Sequence, residues 1–218
     1  MTLPRDCSHF HFHSIYPFSA DQVHAWHARP GALQRLLPPW QDIEILKNPG
    51  SIEPGSLVHM RLKLGPFSKK FIACHTHNIP GIMFRDSQQS GPFRHWQHNH
   101  FFDEVSSGCL LRDEVEYALP LHDLLPGFLK KKVDKQLQRT FRYREAVLQN
   151  DLSLHDRYSN RSLRILVTGA SGVLGRQLVP FLTTGGHSIW TLVRRKPDRR
   201  KNELFLDPMR GGMERDMP

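Results

Sequence analysis

The chain has 218 residues and a formal net charge of +9, with 39% hydrophobic and 23% charged residues. This globular composition excludes a disordered or collagen-like chain, and no apolar run reaches the roughly 18 residues that a membrane span needs. The three cysteines are widely spaced, which argues against both a disulfide framework and a thiolate zinc site. Without a signal-peptide pattern or a nucleic-acid-binding motif, we expect a cytoplasmic protein with no nucleic-acid partner.

The first half of the chain predicts one strand, two short helices and then a run of antiparallel strands. Histidine and phenylalanine alternate over 8–14, which predicts a strand, and Ser19 with Gln22 forms a capping-box signature before a helix at about 20–28. A second short helix begins near residue 31 and ends before a Pro-Pro pair. Further strands are predicted at 42–47, 56–64, 69–79, 82–89, 93–102 and 109–119, with a turn-rich hairpin link at 103–108.

A long amphipathic helix is predicted over about 126–149. Its apolar residues recur mainly every four positions, while lysines and arginines fill much of the rest. We expect the apolar stripe to pack on the sheet; contact of the basic face with an anionic membrane surface is the alternative and is less favoured. The stripe consists of Leu125, Leu129, Val133, Leu137, Phe141 and Leu148.

The alternation of side chains along the strands predicts one inward-facing apolar surface. Residues two apart point to the same face of a strand, and paired strands of a hairpin place such sets side by side. We therefore expect a cavity that accepts a small hydrophobic ligand. Its predicted lining is Met60, Leu62, Trp96, His98, His100, Phe102, Asp113, Val115 and Tyr117.

Three of these inward residues are polar, and their role has three interpretations. His98 or His100, oriented by Asp113, could donate or accept a proton in the cavity. The favoured alternative is a hydrogen-bonded cluster that only stabilises the hairpin. Metal binding by an alternating histidine pair is the third, but no carboxylate or cysteine stands at a familiar ligand spacing, so we expect no metal site.

Two motifs give the first part of the chain a family resemblance. W-x-H-x-H-x-F begins at Trp96, and D-x-V-x-Y-x-L-P begins at Asp113. With the order of elements, they resemble the SRPBCC superfamily, also called START-like, and within it the polyketide cyclase/dehydrase-like group. The resemblance covers about 7–150 and implies an α+β helix-grip fold, a curved antiparallel sheet around a long C-terminal helix. It implies ligand binding, with a cyclase/dehydratase enzyme using His98, His100 and Asp113, or a lipid carrier, as alternatives.

A second unit is predicted after a polar linker at 151–162, so that residues 1–150 and 163–218 form separate parts. An apolar strand at 163–169 leads directly into a glycine-rich turn, a helix and a second strand at 188–193. In this βαβ context, glycines let the backbone approach a pyrophosphate at the helix N-terminus. The predicted cofactor-binding residues in the turn are Thr168, Gly169, Ser171, Gly172, Val173, Leu174 and Gly175.

The T-G-x-x-G-x-x-G turn resembles extended short-chain dehydrogenases of the NAD-dependent epimerase/dehydratase family. The resemblance covers about 163–208 and implies an incomplete α/β Rossmann unit. Arg194 and Arg195 occupy the end of the second strand, where an acidic residue would favour NAD, so NADP is the expected cofactor. The family's Tyr-x-x-x-Lys is absent, so we expect a truncated unit that is not catalytically competent and that a partner chain could complete.

Overall fold

The computed structural model describes residues 7–64, 67–120, 127–158, 161–207 and 212–213. They form two sheets and four helices of five or more residues, and the two parts of the chain contain different kinds of sheet. The elements are β1 (Ser8–Tyr16), α1 (Ala20–Ala28), α2 (Ala32–Leu36), β2 (Ile43–Lys47), β3 (Leu57–Leu64), β4 (Phe67–Ile79), β5 (Met83–Ser90), β6 (His95–Val105), β7 (Gly108–Ala118), α3 (Gly127–Tyr158), β8 (Arg164–Thr168), α4 (Gly175–Thr184), β9 (Ser188–Val193), β10 (Glu203–Asp207) and β11 (Gly212–Met213).

The first part is a seven-stranded antiparallel sheet in the order β1-β7-β6-β5-β4-β3-β2. The predicted hairpin link is a tight turn, because Val105 already pairs with Gly108. Along β7 the buried residues alternate with half-buried ones from Cys109 to Tyr117, which confirms the predicted inward face. The large sheet and the long helix make this part α+β, consistent with a helix-grip fold.

The start of α1 follows directly from its capping sequence. The Ser19 hydroxyl accepts a hydrogen bond from the Gln22 backbone, and the Gln22 side chain accepts one from the Ser19 backbone. Two N–H groups at the helix end are thereby paired. Val23 and Trp26 are fully buried on the side of α1 that meets the sheet. The predicted capping box and helix are both present.

The long helix α3 packs its apolar stripe against the sheet, as predicted. Val133, Leu137 and Phe141 contact a cluster that contains Phe10 and Tyr117. Further along α3, Leu148 joins a second cluster, which contains Trp26 of α1. Leu125 and the side chain of Leu129 lie outside the described residues.

The prediction of a linker at 151–162 is wrong for most of this range, because α3 continues to Tyr158. Its polar residues have specific partners, which composition alone did not reveal. Asp151 is 1% exposed and accepts two hydrogen bonds from the Arg35 guanidinium on α2, at 2.7 and 2.8 Å. Leu152 is buried beside it. The extra turns of helix are therefore held by the first part of the chain.

The second part is a small sheet in the order β11-β10-β9-β8, in which β8, β9 and β10 are parallel. The two predicted strands are present, but β10 was not predicted, since it follows a basic loop that contains no helix of normal length. Leu204 on β10 is fully buried, which explains why this short segment pairs. The unit docks on the first part: Arg29 donates to the Thr184 carbonyl at 2.7 Å, and the rings of His155 and Phe181 stack 4.6 Å apart.

Replacing Asp151 with alanine tests whether the end of α3 stabilises the fold. Asp151→Ala leaves the half-buried guanidinium of Arg35 without its partner, so we expect a loss of about 3 kcal/mol in the free energy of unfolding. Urea denaturation followed by circular dichroism measures it. Asp156→Ala removes an exposed carboxylate from the same helix and should change stability little. Equal stabilities for the two variants would contradict the assignment.

Candidate functional site

The concave face of the large sheet, together with the helices that cover it, encloses a cavity of about 170 Å³. Four of the predicted lining residues, Met60, Trp96, His98 and His100, stand on its wall. The rest of the wall comes from the strands β3 to β5, from α1, α2 and the link between them, from the loop between β2 and β3, and from one residue of α3. Most of the wall is apolar, and further apolar residues on it are Leu33, Leu36, Val58, Phe71, Ala73 and Phe84.

The other predicted lining residues lie elsewhere. Phe102 packs in the core cluster around Trp26, and Val115 and Tyr117 pack with Phe141 in the second cluster. Leu62 is half-buried on β3 and is not part of the cavity wall. Asp113 lines a much smaller neighbouring cavity of about 20 Å³. The reason is that α3 fills the sheet surface at β1 and β7, so the open space is left over β3 to β6.

Two histidines and two aspartates meet at the polar end of the cavity. His98 Nε2 lies 3.0 Å from Asp113 Oδ1, and His100 Nδ1 lies 2.8 Å from the same oxygen. On the other side, Asp86 Oδ2 lies 3.7 Å from both His98 Nδ1 and His100 Nε2. The centres of the two imidazole rings are 3.8 Å apart. Each ring therefore stands between two carboxylates.

Strand register explains this meeting. Asp86 on β5 pairs with His98 on β6, and His100 pairs with Asp113 on β7. Side chains at paired positions of antiparallel strands share a face and lie within contact distance of one another. Since His98 and His100 are two residues apart, both point inward with their partners. The cluster is thus a consequence of three adjacent strands in one register.

Burial and the carboxylates shift the proton affinities of the cluster in opposite directions. Burial lowers the pKa of His98, with the charge of His100 adding to the effect. Burial also opposes a proton on His100, but Asp113 and Asp86 outweigh it and raise its pKa. Although burial alone would raise them, the neighbouring imidazoles lower the pKa values of Asp86 and Asp113. The carboxylates therefore favour a proton on His100, whereas burial disfavours one on His98.

Four polar residues of this region were not among the predicted lining residues. Asp86 stands on β5, His75 on β4, His27 on α1 and Arg144 on α3, and all four line the cavity. An aspartate in the interior of a strand is unusual and could have drawn attention to Asp86. His75 belongs to an alternating histidine pair at 75–77, but His27 and Arg144 carry no local signal, because only the packing of separate elements brings them to the same wall.

The glycine-rich turn after β8 has the geometry that a close approach of backbone requires. Gly169 has φ +67° and open space beyond its Cα, so a ligand could lie against it. A Cβ on Gly175 would lie 2.6 Å from Ala170 Cα, so only glycine fits there. Thr168, Gly169 and Ser171 line a cleft at the carboxyl ends of the parallel strands. The turn therefore fits a phosphate group.

The remaining predicted cofactor-binding residues are placed as follows. Arg194 and Arg195 line the same cleft, but Arg195 forms a two-pronged ion pair with Glu203 at 2.6 and 2.8 Å. Val173 and Leu174 are strongly exposed and do not line the cleft, and Gly172 donates a hydrogen bond to the Gly169 carbonyl. Arg195 is thus held by Glu203, whereas Arg194 lines the cleft outside this ion pair.

Two family models match the sequence. Residues 16–143 match polyketide cyclase/dehydrase and lipid transport, and residues 165–210 match the NAD-dependent epimerase/dehydratase family. No curated protein has a matching sequence. Among the residues that the structure describes, no helix is both long and apolar enough to cross a bilayer.

Several solved structures are similar. The nucleoside-diphosphate sugar epimerase of Corynebacterium glutamicum superposes with a TM-score of 0.70 at 28% identity, over 87% of this chain and 40% of its own length. The Zhui aromatase/cyclase of a Streptomyces species superposes with a TM-score of 0.56 at 13% identity, over 71% of this chain and 99% of its own. A Thermus thermophilus protein gives 0.53 at 14% identity, over 67% of this chain and 97% of its own. The two chains under 25% identity establish likeness of fold.

The buried imidazole of His27 predicts how stability depends on pH. Its Nδ1 lies 2.8 Å from the Val23 carbonyl, and burial lowers its pKa to about 3. The unfolded chain binds a proton near pH 6.5 that the folded chain does not bind until about pH 3, so stability is lost as the pH falls below 6.5. This one group contributes a slope of about 1.4 kcal/mol per pH unit.

Urea denaturation at pH values between 5 and 7 measures the slope. His27→Phe keeps an aromatic ring at the position and removes the titrating group. The free energy of unfolding of the variant should therefore change with pH by about 1.4 kcal/mol per pH unit less than that of the parent. Potentiometric measurement of protons taken up on unfolding gives an independent count. An unchanged slope in the variant would show that another group carries the acid sensitivity.

Proposed function

Because the chain belongs to the polyketide cyclase/dehydrase and lipid transport family, we propose that its first part, about residues 1–150, binds a small hydrophobic or aromatic molecule in the cavity. The observation that carries this proposal is an apolar cavity on the concave face of the sheet with charged groups at one end. Such a combination holds an apolar body by burial and fixes its orientation through a few polar contacts.

The size and chemistry of the cavity narrow the ligand class. A volume of about 170 Å³ is similar to that of an apolar protein cavity known to admit benzene, so the ligand has one or two rings. Phe71, Phe84 and Trp96 supply aromatic surface on the wall, and the imidazoles supply hydrogen-bonding groups. A ring compound that carries a hydroxyl or carbonyl oxygen meets both requirements.

A variant with a partly filled cavity tests the proposal. The probe is 2-naphthol, a fluorescent ring compound with one hydroxyl. Ala73→Leu places extra carbon atoms on the wall, so binding of 2-naphthol should weaken at least tenfold while the fold is kept. Fluorescence titration measures binding, and circular dichroism checks folding. Ile82→Phe enlarges an exposed side chain and should bind as the parent does. Failure of the parent chain to bind, or equal binding by all three chains, would count against a ligand cavity.

A cyclase/dehydratase-type reaction is the second candidate, and the His98–Asp113 hydrogen bond favours it. The ionised carboxylate accepts from Nε2, which leaves the Nδ1 lone pair of His98 free to accept a proton. Acid–base chemistry requires His98 for turnover, whereas binding alone requires it only for affinity. A lipid carrier is less favoured, because the apolar stripe of α3 is already packed on the sheet.

The second part of the chain, about residues 163–218, is proposed to be the start of an NAD(P)-binding Rossmann domain. Its described residues form three parallel strands, the short antiparallel strand β11 and one α-helix, with the glycine-rich turn at the first crossover. When bound, the dinucleotide would supply hydride-transfer chemistry. Thr168, Gly169 and Ser171 would hold its phosphates, and Arg194 would meet the 2′-phosphate of NADP. The chain spans less than half the length of the epimerase it resembles, so the epimerase's activity is not carried over.

Nucleotide preference tests this second proposal. We expect the chain to bind NADPH more tightly than NADH, and Arg194→Ala should reduce that preference about tenfold, because it removes one charge-assisted contact. Isothermal titration calorimetry measures both affinities. Arg199→Ala is the matched control, since Arg199 lies beyond the cleft wall in the same basic loop. A preference that both variants change equally would assign the effect to general positive charge.

A further inference from the structure

The cluster at the polar end of the cavity has an arrangement that hydrogen bonding alone does not account for. Asp86 Oδ2 faces two imidazole nitrogens, His98 Nδ1 and His100 Nε2, at 3.7 Å each. Both distances are longer than a hydrogen bond. Three atoms that can each ligate a metal ion, one from Asp86, one from His98 and one from His100, therefore face one another without hydrogen bonds between them. All three lie within 4.8 Å of one another.

We propose that Asp86, His98 and His100 form a binding site for a divalent transition-metal ion of the zinc or iron(II) class. Two ligands that each lie about 2.1 Å from a shared ion at a tetrahedral angle are roughly 3.4 Å apart. The two distances from Asp86 Oδ2, 3.7 Å each, need a closure of only a few tenths of an ångström, and the two nitrogens, which lie within 4.8 Å of each other, must also move together. Two imidazoles with one carboxylate are a donor set suited to these ions.

Asp113 supplies the outer partner that such a site requires. Metal-binding histidines nearly always donate their other ring N–H to a carboxylate, a carbonyl or a water, which fixes the ring and its tautomer. Here His98 Nε2 is hydrogen-bonded to Asp113 Oδ1 at 3.0 Å, and His100 Nδ1 lies 2.8 Å from the same oxygen, outside hydrogen-bond geometry but close enough to donate after a small rotation of the ring. The inner nitrogens are thereby left to face Asp86. Asp113 is a positioning residue in this proposal.

Charge and access also suit a cation. The carboxylates of Asp86 and Asp113 lie against the two imidazoles, so a cation held between the rings would meet negative charge on both sides. Asp86, His98 and His100 line the larger cavity, which leaves coordination positions open toward a cavity ligand. His75, which pairs with Asp86 in register, adds a buried Nδ1 without a hydrogen-bond partner on the same wall. A group bound to the ion could meet that nitrogen.

The metal proposal replaces the expectation of no metal that followed from sequence spacing. The missing carboxylate comes from β5, twelve residues before His98, and no familiar spacing connects the two. Metal binding and the acid–base alternative make opposite demands on His98 Nδ1, because a nitrogen that ligates an ion cannot also accept a proton. Metal binding is a property separate from the proposed binding of a hydrophobic molecule, and it can be measured without any organic ligand.

Titration of the metal-free full chain with Co²⁺ tests the site through the visible absorption of the ion. We expect one Co²⁺ per chain, displaced by Zn²⁺. Asp86→Asn replaces a carboxylate by an amide of the same shape and should weaken binding at least a hundredfold. Asp113→Asn should weaken it about 10–100-fold and keep the stoichiometry, as expected of an outer partner. The absence of specific Co²⁺ binding by the parent chain would overturn the proposal.

The chain contains its own matched control. His9 and His11 also alternate on a strand, but they are exposed on β1, with ring centres 6.5 Å apart. The double variant His9→Gln/His11→Gln should bind Co²⁺ as the parent does. Loss of binding in this variant, with binding retained in Asp86→Asn, would assign the ion to the surface pair and refute the buried site.

A measurement on the parent chain covers the case in which Asp86→Asn does not fold. In the proton NMR spectrum of the Co²⁺ form, two strongly shifted imidazole N–H signals are expected, one from each ligating histidine. Both should persist in water, because those N–H groups are buried against Asp113. A surface site would show N–H signals that exchange rapidly with water, and this outcome would contradict the proposal. Failure of 2-naphthol to bind would leave these signals unchanged.

Discussion

The register that joins β5, β6 and β7 is the constraint on which the site depends. It places Asp86, His98, His100 and Asp113 on one inward face, where each group is largely removed from water. Removing a lone charge from water costs several kcal/mol, so these groups are tolerable only as a set. A slip of one residue in either ladder would send His98 and His100 to the outer face and leave the carboxylates buried without partners.

The position of the cavity follows from where α3 ends its contact with the sheet. Its apolar stripe fills the surface over β1 and β7, where Phe10, Tyr117 and Phe141 pack closely. Over β3 to β5 the sheet faces the cavity, whose opposite wall includes residues of α1 and α2, and the strands carry smaller residues such as Val58 and Ala73. Close packing at one end and small side chains at the other leave a space beside the polar cluster.

The second unit is joined to the first by more than a covalent link. Thr184 at the end of α4 accepts from Arg29, and α3 reaches far enough for His155 to stack on Phe181. Gly31 fits closely against α4, since a Cβ there would lie 2.8 Å from Pro180 Cα. The glycine-rich turn lies at the other end of α4, away from these contacts, so docking does not cover the cleft.

The sequence by itself determined most of the elements, the inward face of the hairpin, the packing of the α3 stripe and the glycine-rich turn, because each depends on local periodicity or on a local backbone requirement. The capping box before α1 is the clearest example. The sequence did not determine the last turns of α3, where Asp151 depends on Arg35 from a distant helix. Nor did it determine β10, which follows a basic loop and pairs through the burial of Leu204. It identified His98, His100 and Asp113, yet not Asp86, His75 or Arg144. Only tertiary structure decided those, because burial and strand pairing bring together residues whose separation along the chain carries no signal.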